Sequence, residues 1–239
     1  MHKNLGYMDN IVIAVDGFSS CGKSTLAKDI AKELGLIYID TGAMYRGATL
    51  LAIEHNLISN NTVEEEKLIE ILKSTTMVFK KVEGQVQLYL NDRNVENEIR
   101  SMEVSNNVSL VSTIAEVRSI LVDRQRTLGK SMNVILDGRD IGTVVFPNAD
   151  IKLFLTASPE IRAQRRYDEM KKKGDNVTLS EVAKNIQNRD FIDQNREVSP
   201  LKKADDAYVI DNSNMSKQEQ LQHAISIIKL KRPDIFKGK

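Results

Sequence analysis

Apolar positions along the chain follow two alternating rhythms. Ile11-Val12-Ile13-Ala14-Val15 is a continuous apolar run of the kind a fully buried strand shows. After it Leu26, Ile30, Ala31 and Leu34 recur at helical spacing, with Gly35 as a stop signal. Leu36-Ile37-Tyr38-Ile39 reads as a second short strand, followed by a helix carrying Met44, Leu50, Leu51 and Ile53. Thr62 with Glu65 three residues on predicts a capping box that starts a helix running to about Lys73. From Thr76 the period changes: residues 77–82, the turn Glu83-Gly84 and residues 85–90 read as a hairpin. The stretch from 72 to 105 thus interrupts the strand–helix alternation and reads as an inserted lobe.

Residues 102 to 129 are helical by period, with Val104, Val108 and Val111 on one stripe and Ile114, Val117, Leu121 and Leu128 on another. Thr113 and Glu116 form a second capping box, which predicts two helices with a break near Ser112. Residues 133–137 and 151–155 are further strands. Ser158-Pro159-Glu160 joins an N-cap serine, a first-turn proline and an acid, and opens a helix ending in Lys171-Lys172-Lys173-Gly174. Thr178 with Glu181 caps another helix, residues 207–210 form a last short strand, and Ser216 with Glu219 caps the closing helix. Strands separated by helices throughout predict an α/β fold, a parallel sheet covered on both faces.

Composition narrows the class. A chain of 239 residues, 41% of them hydrophobic, suits one α/β domain with an excursion or two. The formal net charge of +1 supplies no global field toward nucleic acid or membrane, and 5% aromatic content without tryptophan argues against a stacking surface for bases. One cysteine excludes an internal disulfide framework and a cysteine zinc site. No apolar run approaches the roughly eighteen residues that span a bilayer, and the first ten residues lack the apolar stretch of a secretory signal. The expectation is a soluble cytoplasmic protein with no membrane and no nucleic-acid partner.

The candidate chemistry begins at the first strand–helix junction. Asp16-Gly17-Phe18-Ser19-Ser20-Cys21-Gly22-Lys23-Ser24 fits G-x-x-x-x-G-K-[ST] between a strand and a helix, the context that gives this motif meaning. The glycines let the backbone wrap a polyphosphate, and the helix N-terminus adds partial positive charge behind the loop amides. Lys23 can reach the outer phosphates and Ser24 offers a hydroxyl to Mg²⁺, so Gly17 through Thr25 are the candidate ATP-binding residues. No Asn-Lys-x-Asp guanine signature accompanies the loop. Arg46 follows Asp40-Thr41-Gly42, and Arg139 and Asp140 follow Asp137-Gly138, all at carboxyl ends of strands, where parallel sheets bind ligands. On the helix after Thr178, Val182, Ile186, Arg189, Asp193 and Arg196 share one face that turns from apolar to cation–anion–cation. Burying that row without partners is costly, whereas a phosphorylated ligand gives it a purpose. Between Glu160 and Lys203 eleven Lys/Arg face eight Asp/Glu, a modest excess suited to a mobile cover over a triphosphate.

Several of these stretches resemble one family. The phosphate loop, residues 40–46, Ile99-Arg100 with Glu103-Val104, residues 137–147, and Asn195-Arg196 with Pro200-Leu201 are similar to those of bacterial cytidylate kinases, of the nucleoside monophosphate kinase group. The resemblance runs from about Ile11 to Leu230, and Asp137-Gly138-Arg139-Asp140 with its Gly-Thr-Val-Val continuation is its most specific part. It implies a phosphate-loop NTPase-type core at 10–45, 130–160 and 205–239, a monophosphate-binding lobe with a small β-containing insert at about 46–129, and a helical lid at about 161–204. It further implies that Ser109, Arg118 and Asp140 contact the cytosine and that Thr41, Arg46, Arg139, Arg189, Asp193 and Arg196 lie near the acceptor ribose or phosphate. Lys23, Arg139, Arg189 and Arg196 are then the catalytic candidates and Ser24 the metal candidate. Ser109 and Arg118 are nine residues apart, roughly opposed on one continuous helix, so they can face one base only if the helix breaks between them. The capping box at Thr113 is expected to supply that break.

The implied reaction is MgATP + CMP ⇌ ADP + CDP, with dCMP as a second acceptor and the enzyme a monomer. Asp137 either orients the metal's water shell or caps the following turn. Phe18 and Cys21 stand where family members commonly carry Pro and Ala, and Ile192 and Gln194 where some carry arginines of the lid; the ten-residue N-terminal extension has no assigned role. Rival readings are a kinase for AMP, UMP or a metabolite hydroxyl, a nucleotide-binding module without turnover, and a nucleic-acid binder using the basic segment.

Overall fold

Strand β1 (Val12–Gly17) is buried at every position but the first, as its continuous apolar run requires. It feeds helix α1 (Lys23–Leu34), which stops at Gly35 in the left-handed conformation. Strand β2 (Ile37–Asp40) leads into α2 (Thr41–Glu54), where the Asp40 carboxylate caps the helix by accepting from Ala43 N–H at 2.9 Å. A small hairpin, β3 (Ile58–Ser59) and β4 (Thr62–Val63), precedes α3 (Glu65–Ser74). Strands β5 (Met77–Val82), β6 (Gln85–Leu90) and β7 (Arg93–Asn94) form an antiparallel sheet, with Glu83 and Gly84 both at positive φ in the two-residue turn. Helices α4 (Met102–Val111) and α5 (Ala115–Gly129) follow, then β8 (Val134–Gly138), a π-helical turn at Ile141–Val145, and β9 (Ile151–Thr156). Helix α6 (Pro159–Lys172) starts at the Ser158 cap and α7 (Leu179–Asn195) at the Thr178–Glu181 capping box; β10 (Tyr208–Asp211) and α8 (Lys217–Lys231), with its own Ser216–Glu219 box, close the fold. The computed structural model describes residues 11–129 and 133–236. The N-terminal ten residues, and the parts of the expected core at 130–132 and 237–239, lie outside them.

Five strands make one parallel sheet in the order β10-β9-β1-β8-β2. The register pairs Asp16 with Gly138, Gly17 with Leu155 and Asp40 with Asp137, so the carboxyl ends of β1, β2, β8 and β9 share one rim. One face of the sheet is covered by α1 and α8 through Leu26, Ile30, Ala224 and Ile228. On the other, Val122 of α5 and Ile141 and Val145 of the π-helical turn pack on Ala14, Ile39 and Leu136. A separate apolar cluster joins α2 to α5 and the small sheet through Leu51, Leu68, Leu72, Leu88, Ile99, Val104, Val111 and Leu121. Helices α6 and α7 share a fourth, small cluster of Ala163, Met170, Val182 and Ile186.

Two expected capping boxes are not there. Thr62 belongs to β4 and its hydroxyl donates to Ser59 O, because Asn60 and Asn61 take positive φ and close a tight hairpin; α3 starts at Glu65 without a side-chain cap. The break near Ser112 is where it was expected, but Thr113 makes it differently. Its hydroxyl donates backward to Leu110 O at 2.7 Å and Ser112 likewise to Ser109 O at 2.8 Å, while Glu116 pairs with Lys73. Hydroxyls bonded to carbonyls three residues back end α4 rather than open α5.

Candidate active site

The loop from Gly17 to Ser24 sits at the rim, after the central strand. Gly17 has φ 148°, and a Cβ there would lie 2.1 Å from Leu155 O of the adjoining strand. Ser20 and Gly22 also take positive φ, which curls the loop back on itself. Gly22 gives α1 no side-chain cap, so the first-turn amides keep no competitor for an anion. Lys23 is buried, with Nζ donating to Phe18 O at 2.6 Å and lying 3.7 Å from Cys21 Sγ. Burial, then the nearby Arg139 guanidinium, hold its pKa below the ordinary lysine value. Thr25 is exposed beside it in the first turn.

The Ser24 hydroxyl donates to Asp137 Oδ2 at 2.8 Å, and Tyr38 OH donates to Asp137 Oδ1 at 2.7 Å. Burial, with Asp40 nearby, raises the Asp137 pKa. Asp16 caps the π-helical turn from below, accepting from Ile141 N–H at 2.8 Å and Gly142 N–H at 2.7 Å. Despite those two bonds, burial pushes its pKa up to about 7.

Beside the loop lies a second pocket, and every acceptor-side residue expected from the sequence lines it: Thr41, Arg46, Ser109, Arg118, Arg139, Asp140, Arg189, Asp193 and Arg196. The Thr41 hydroxyl donates to Asp137 O at 2.6 Å, tying α2 to β8. Arg46 pairs with Asp40 at 2.8 Å, and Arg100 joins the same carboxylate at 3.4 Å. Burial pushes Asp40 up, but the two arginines win and its pKa is lowered. Arg118, 2% exposed, forms an ion pair with Asp140, donates to Ser112 O at 3.1 Å and lies over the Tyr45 ring at 5.2 Å. Ser112 O is a carbonyl the helix break leaves available, so the break brings Ser109 and Arg118 to one pocket. Arg139 Nε donates to Asp193 Oδ2 at 2.9 Å. Arg196 bridges two acids, 3.8 Å from Asp140 and 3.7 Å from Asp193, and donates from Nε to Ser199 O. Burial, then Arg139, lower the pKa of Arg189 to about 10.

What the pocket has in excess is donors. Among the described residues Arg46 Nε, Arg118 Nε, Arg189 Nε, Arg196 Nη2 and Tyr45 OH are buried without a hydrogen-bond partner, and all five side chains line this pocket. Each such group costs about 1–3 kcal/mol if left unpaired. Guanidinium forks match phosphate and carboxylate oxygens two at a time, so an anionic ligand can satisfy several at once.

Some contributors escaped the sequence reading. Tyr45 and Ser112 line the pocket, Asp40 pairs with both Arg46 and Arg100, and Tyr38 holds Asp137. Tyr45 and Arg100 stood within stretches already singled out, so position in those stretches was the available signal. Asp190 and Arg162, a buried ion pair, grip Ser19 of the loop, and Asn212 grips Cys21 O. Ile192 is half-buried and Gln194 exposed on α7.

Known proteins with similar sequences agree on one family. The family model for cytidylate kinase matches residues 13–230. The cytidylate kinase of Bacteroides thetaiotaomicron is 52% identical over 215 residues, 89% of this chain and 94% of that protein. That of Flavobacterium psychrophilum is 51% identical over 224 residues, 92% and 99% of the two chains. Among solved structures, an uncharacterized protein from Eubacterium ventriosum superposes with a TM-score of 0.50 at 10% identity, covering 92% of this chain and 99% of that one, a likeness of fold alone.

Proposed function

The chain belongs to the cytidylate kinase family, and from that premise we propose how its two sites divide the work. The protein is an ATP-dependent nucleoside monophosphate kinase that transfers the γ-phosphoryl group reversibly to CMP or dCMP, giving ADP and CDP or dCDP. The loop from Gly17 to Thr25 takes ATP, and the pocket between α2, α4, α5 and α7 takes the monophosphate. The observation that carries the division is that five side chains lining one pocket beside the phosphate loop each carry a buried donor unpartnered among the described residues.

Asp140 and Arg118, with Ser109, read the base. Cytosine offers an amino donor beside N3 and O2 acceptors, which a carboxylate, a guanidinium and a hydroxyl can match. Uracil would set an acceptor against Asp140 and leave buried polar groups mispaired, a costly exchange. Arg46, Arg139, Arg189 and Arg196 hold the acceptor phosphate, with Thr41 and Asp193 toward the ribose. The nucleophile is an oxygen of that phosphate, already anionic near neutral pH, so no side chain need act as a base. Phosphoryl transfer then depends on alignment and on charge neutralisation by Lys23, Arg139, Arg189 and Arg196.

The donor set beside the loop suits Mg²⁺. Ser24 and Asp137 present only hard oxygen ligands, and no cluster of three or more His, Cys, Asp or Glu side chains among the described residues builds a closed metal cage. That fits an ion that keeps its waters and takes phosphate oxygens instead. Bound there, it would neutralise phosphate charge; Ser24 would ligate it and Asp137 would hold Ser24 and the ion's water shell.

The separate apolar cluster of α2 to α5 supports a monophosphate-binding lobe at about 46–129, and that of α6 and α7 a lid at about 161–204. No described helix is long and apolar enough to cross a membrane. A cytosolic location and action as a monomer go with this reading. Its test is an ADP-release assay offering CMP, dCMP, UMP, AMP or no acceptor. CMP and dCMP are expected to turn over fastest; AMP or UMP exceeding CMP tenfold would overturn the assignment of the base site.

A further inference from the structure

A phosphate loop works only if its amides face the anion, and the loop's own sequence does not ensure that. A trans peptide holds its C=O and N–H antiparallel, so whatever grips a carbonyl also aims the next residue's N–H. Two loop carbonyls are gripped from outside the loop. Arg162 Nη1 donates to Ser19 O at 3.1 Å, and Asn212 Nδ2 donates to Cys21 O at 2.8 Å. Pinning Ser19 O aims the N–H of Ser20; pinning Cys21 O aims that of Gly22. Both amides are turned away from the gripping side chains.

The grips are themselves held. Arg162, buried on α6, donates from Nε to Ala157 O at 3.0 Å, pairs with Asp190 of α7 and lies 5.2 Å from the Phe18 ring. Asp190 Oδ1 also accepts from Ser19 N–H at 2.9 Å, so both polar groups of Ser19 are engaged by this pair. Asn212, fully buried, accepts from Arg165 Nη1 at Oδ1 and again from Arg165 Nη2 at its backbone carbonyl, both at 2.9 Å. Arg162 and Arg165 lie one turn apart on α6. One helix therefore steadies the loop at two points, directly through Arg162 and through Asn212 by way of Arg165.

We propose that Arg162, Asp190 and Asn212 are positioning residues for the phosphoryl donor, which set the directions of the Ser20 and Gly22 amides before ATP arrives. None of the three lines the monophosphate pocket. The proposal rests on the reading of the loop as the ATP site. It separates from a merely structural role by its selectivity: donor affinity should fall while acceptor affinity holds.

Calorimetric titration of the full chain with a non-hydrolysable ATP analogue and, separately, with CMP tests it. Asn212→Asp keeps the shape but sets an acceptor against Cys21 O. It is expected to raise the analogue's Kd about tenfold and leave the CMP Kd within about twofold, a lost hydrogen bond being of this order. Arg162→Lys keeps the charge but loses the fork that spans Ser19 and Asp190, and is expected to act in the same direction. If Asn212→Asp does not fold, Arg162→Lys decides by the same criterion. An unchanged analogue Kd, or analogue and CMP affinities falling together, overturns the proposal. Lys23→Ala in the transfer assay keeps the two readings apart. Near-wild-type transfer there would remove the ATP site itself, whereas loss of transfer beside unchanged analogue binding in the other two variants would remove only the positioning role.

Discussion

Arg118–Asp140 and Arg162–Asp190 are both buried arginine–aspartate ion pairs, yet they are completed differently. Around Arg162–Asp190 further hydrogen bonds go to protein: Nε to Ala157 O, Nη1 to Ser19 O, and Asp190 Oδ1 from Ser19 N–H. Around Arg118–Asp140 fewer do. Arg118 Nε has no partner among the described residues, and Asp140 Oδ1 has Arg196 Nη2 only at 3.8 Å, too long for a hydrogen bond. The first pair is engaged by Ala157, just ahead of α6, and by the phosphate loop, while the second keeps donors and acceptors for a ligand. Burial and charge alone, similar in the two, would not have told them apart.

The sharpest way to break this contrast is to delete one arginine from each pair. Arg162→Ala leaves Asp190 buried and uncompensated and should cost about 3–5 kcal/mol of unfolding free energy, measured by urea titration. Arg118→Ala should cost less in that titration, because Arg196 remains beside Asp140 and the pocket can admit water, but should lower kcat/KM for CMP by about 10²–10³. Equal stability losses in the two variants would dissolve the distinction. Next in size, Asp140→Ala is expected to raise the KM for CMP about a hundredfold, with ATP affinity unchanged. Unchanged CMP kinetics would take Asp140 out of the base site.

Asp16 supplies a third case, a buried carboxylate held by two amides and no guanidinium. Its pKa, pushed up to about 7 from an ordinary 3.8, means the folded state binds a proton more tightly than the unfolded chain does. Its contribution to stability is therefore full below about pH 4 and is lost as pH rises through 7. Between pH 5 and 8 the wild-type protein should lose about 2–3 kcal/mol relative to Asp16→Asn, read from paired unfolding curves. A flat difference between the two proteins would show that the amides solvate the carboxylate as well as water does. Smallest of all, Thr113→Ala should cost about 1 kcal/mol or less, since its hydroxyl ends α4 at a carbonyl that water can also reach.

How much of this was legible in the chain depended on reach. The phosphate loop, the Ser158 cap and the boxes at Thr178 and Ser216 are written in neighbouring residues, and each is where its spacing predicts. The row Arg189, Asp193, Arg196 was legible as a face, because helical period is local, although its partners Arg139 and Asp140 come from the turn after β8. Thr62 and Thr113 misled because a hydroxyl three residues before an acid fits two uses, and a competing carbonyl at Ser59 or Leu110 decides between them. Arg162, Asp190 and Asn212 were illegible for a different reason. Their partners in the loop lie 143, 171 and 191 residues away, and no periodicity records such a contact.

Gly17 has a consequence that outlasts the chemistry. The residue is excluded from change by Leu155 O, 2.1 Å from where its Cβ would stand, and so by the neighbouring strand before any nucleotide is considered. A descendant of this protein that abandoned catalysis would still drift around that position, losing Lys23 and Arg189 first and its leading glycine last. In a genome survey, then, the glycine testifies to an intact sheet, and only the cations beyond it testify to a working enzyme.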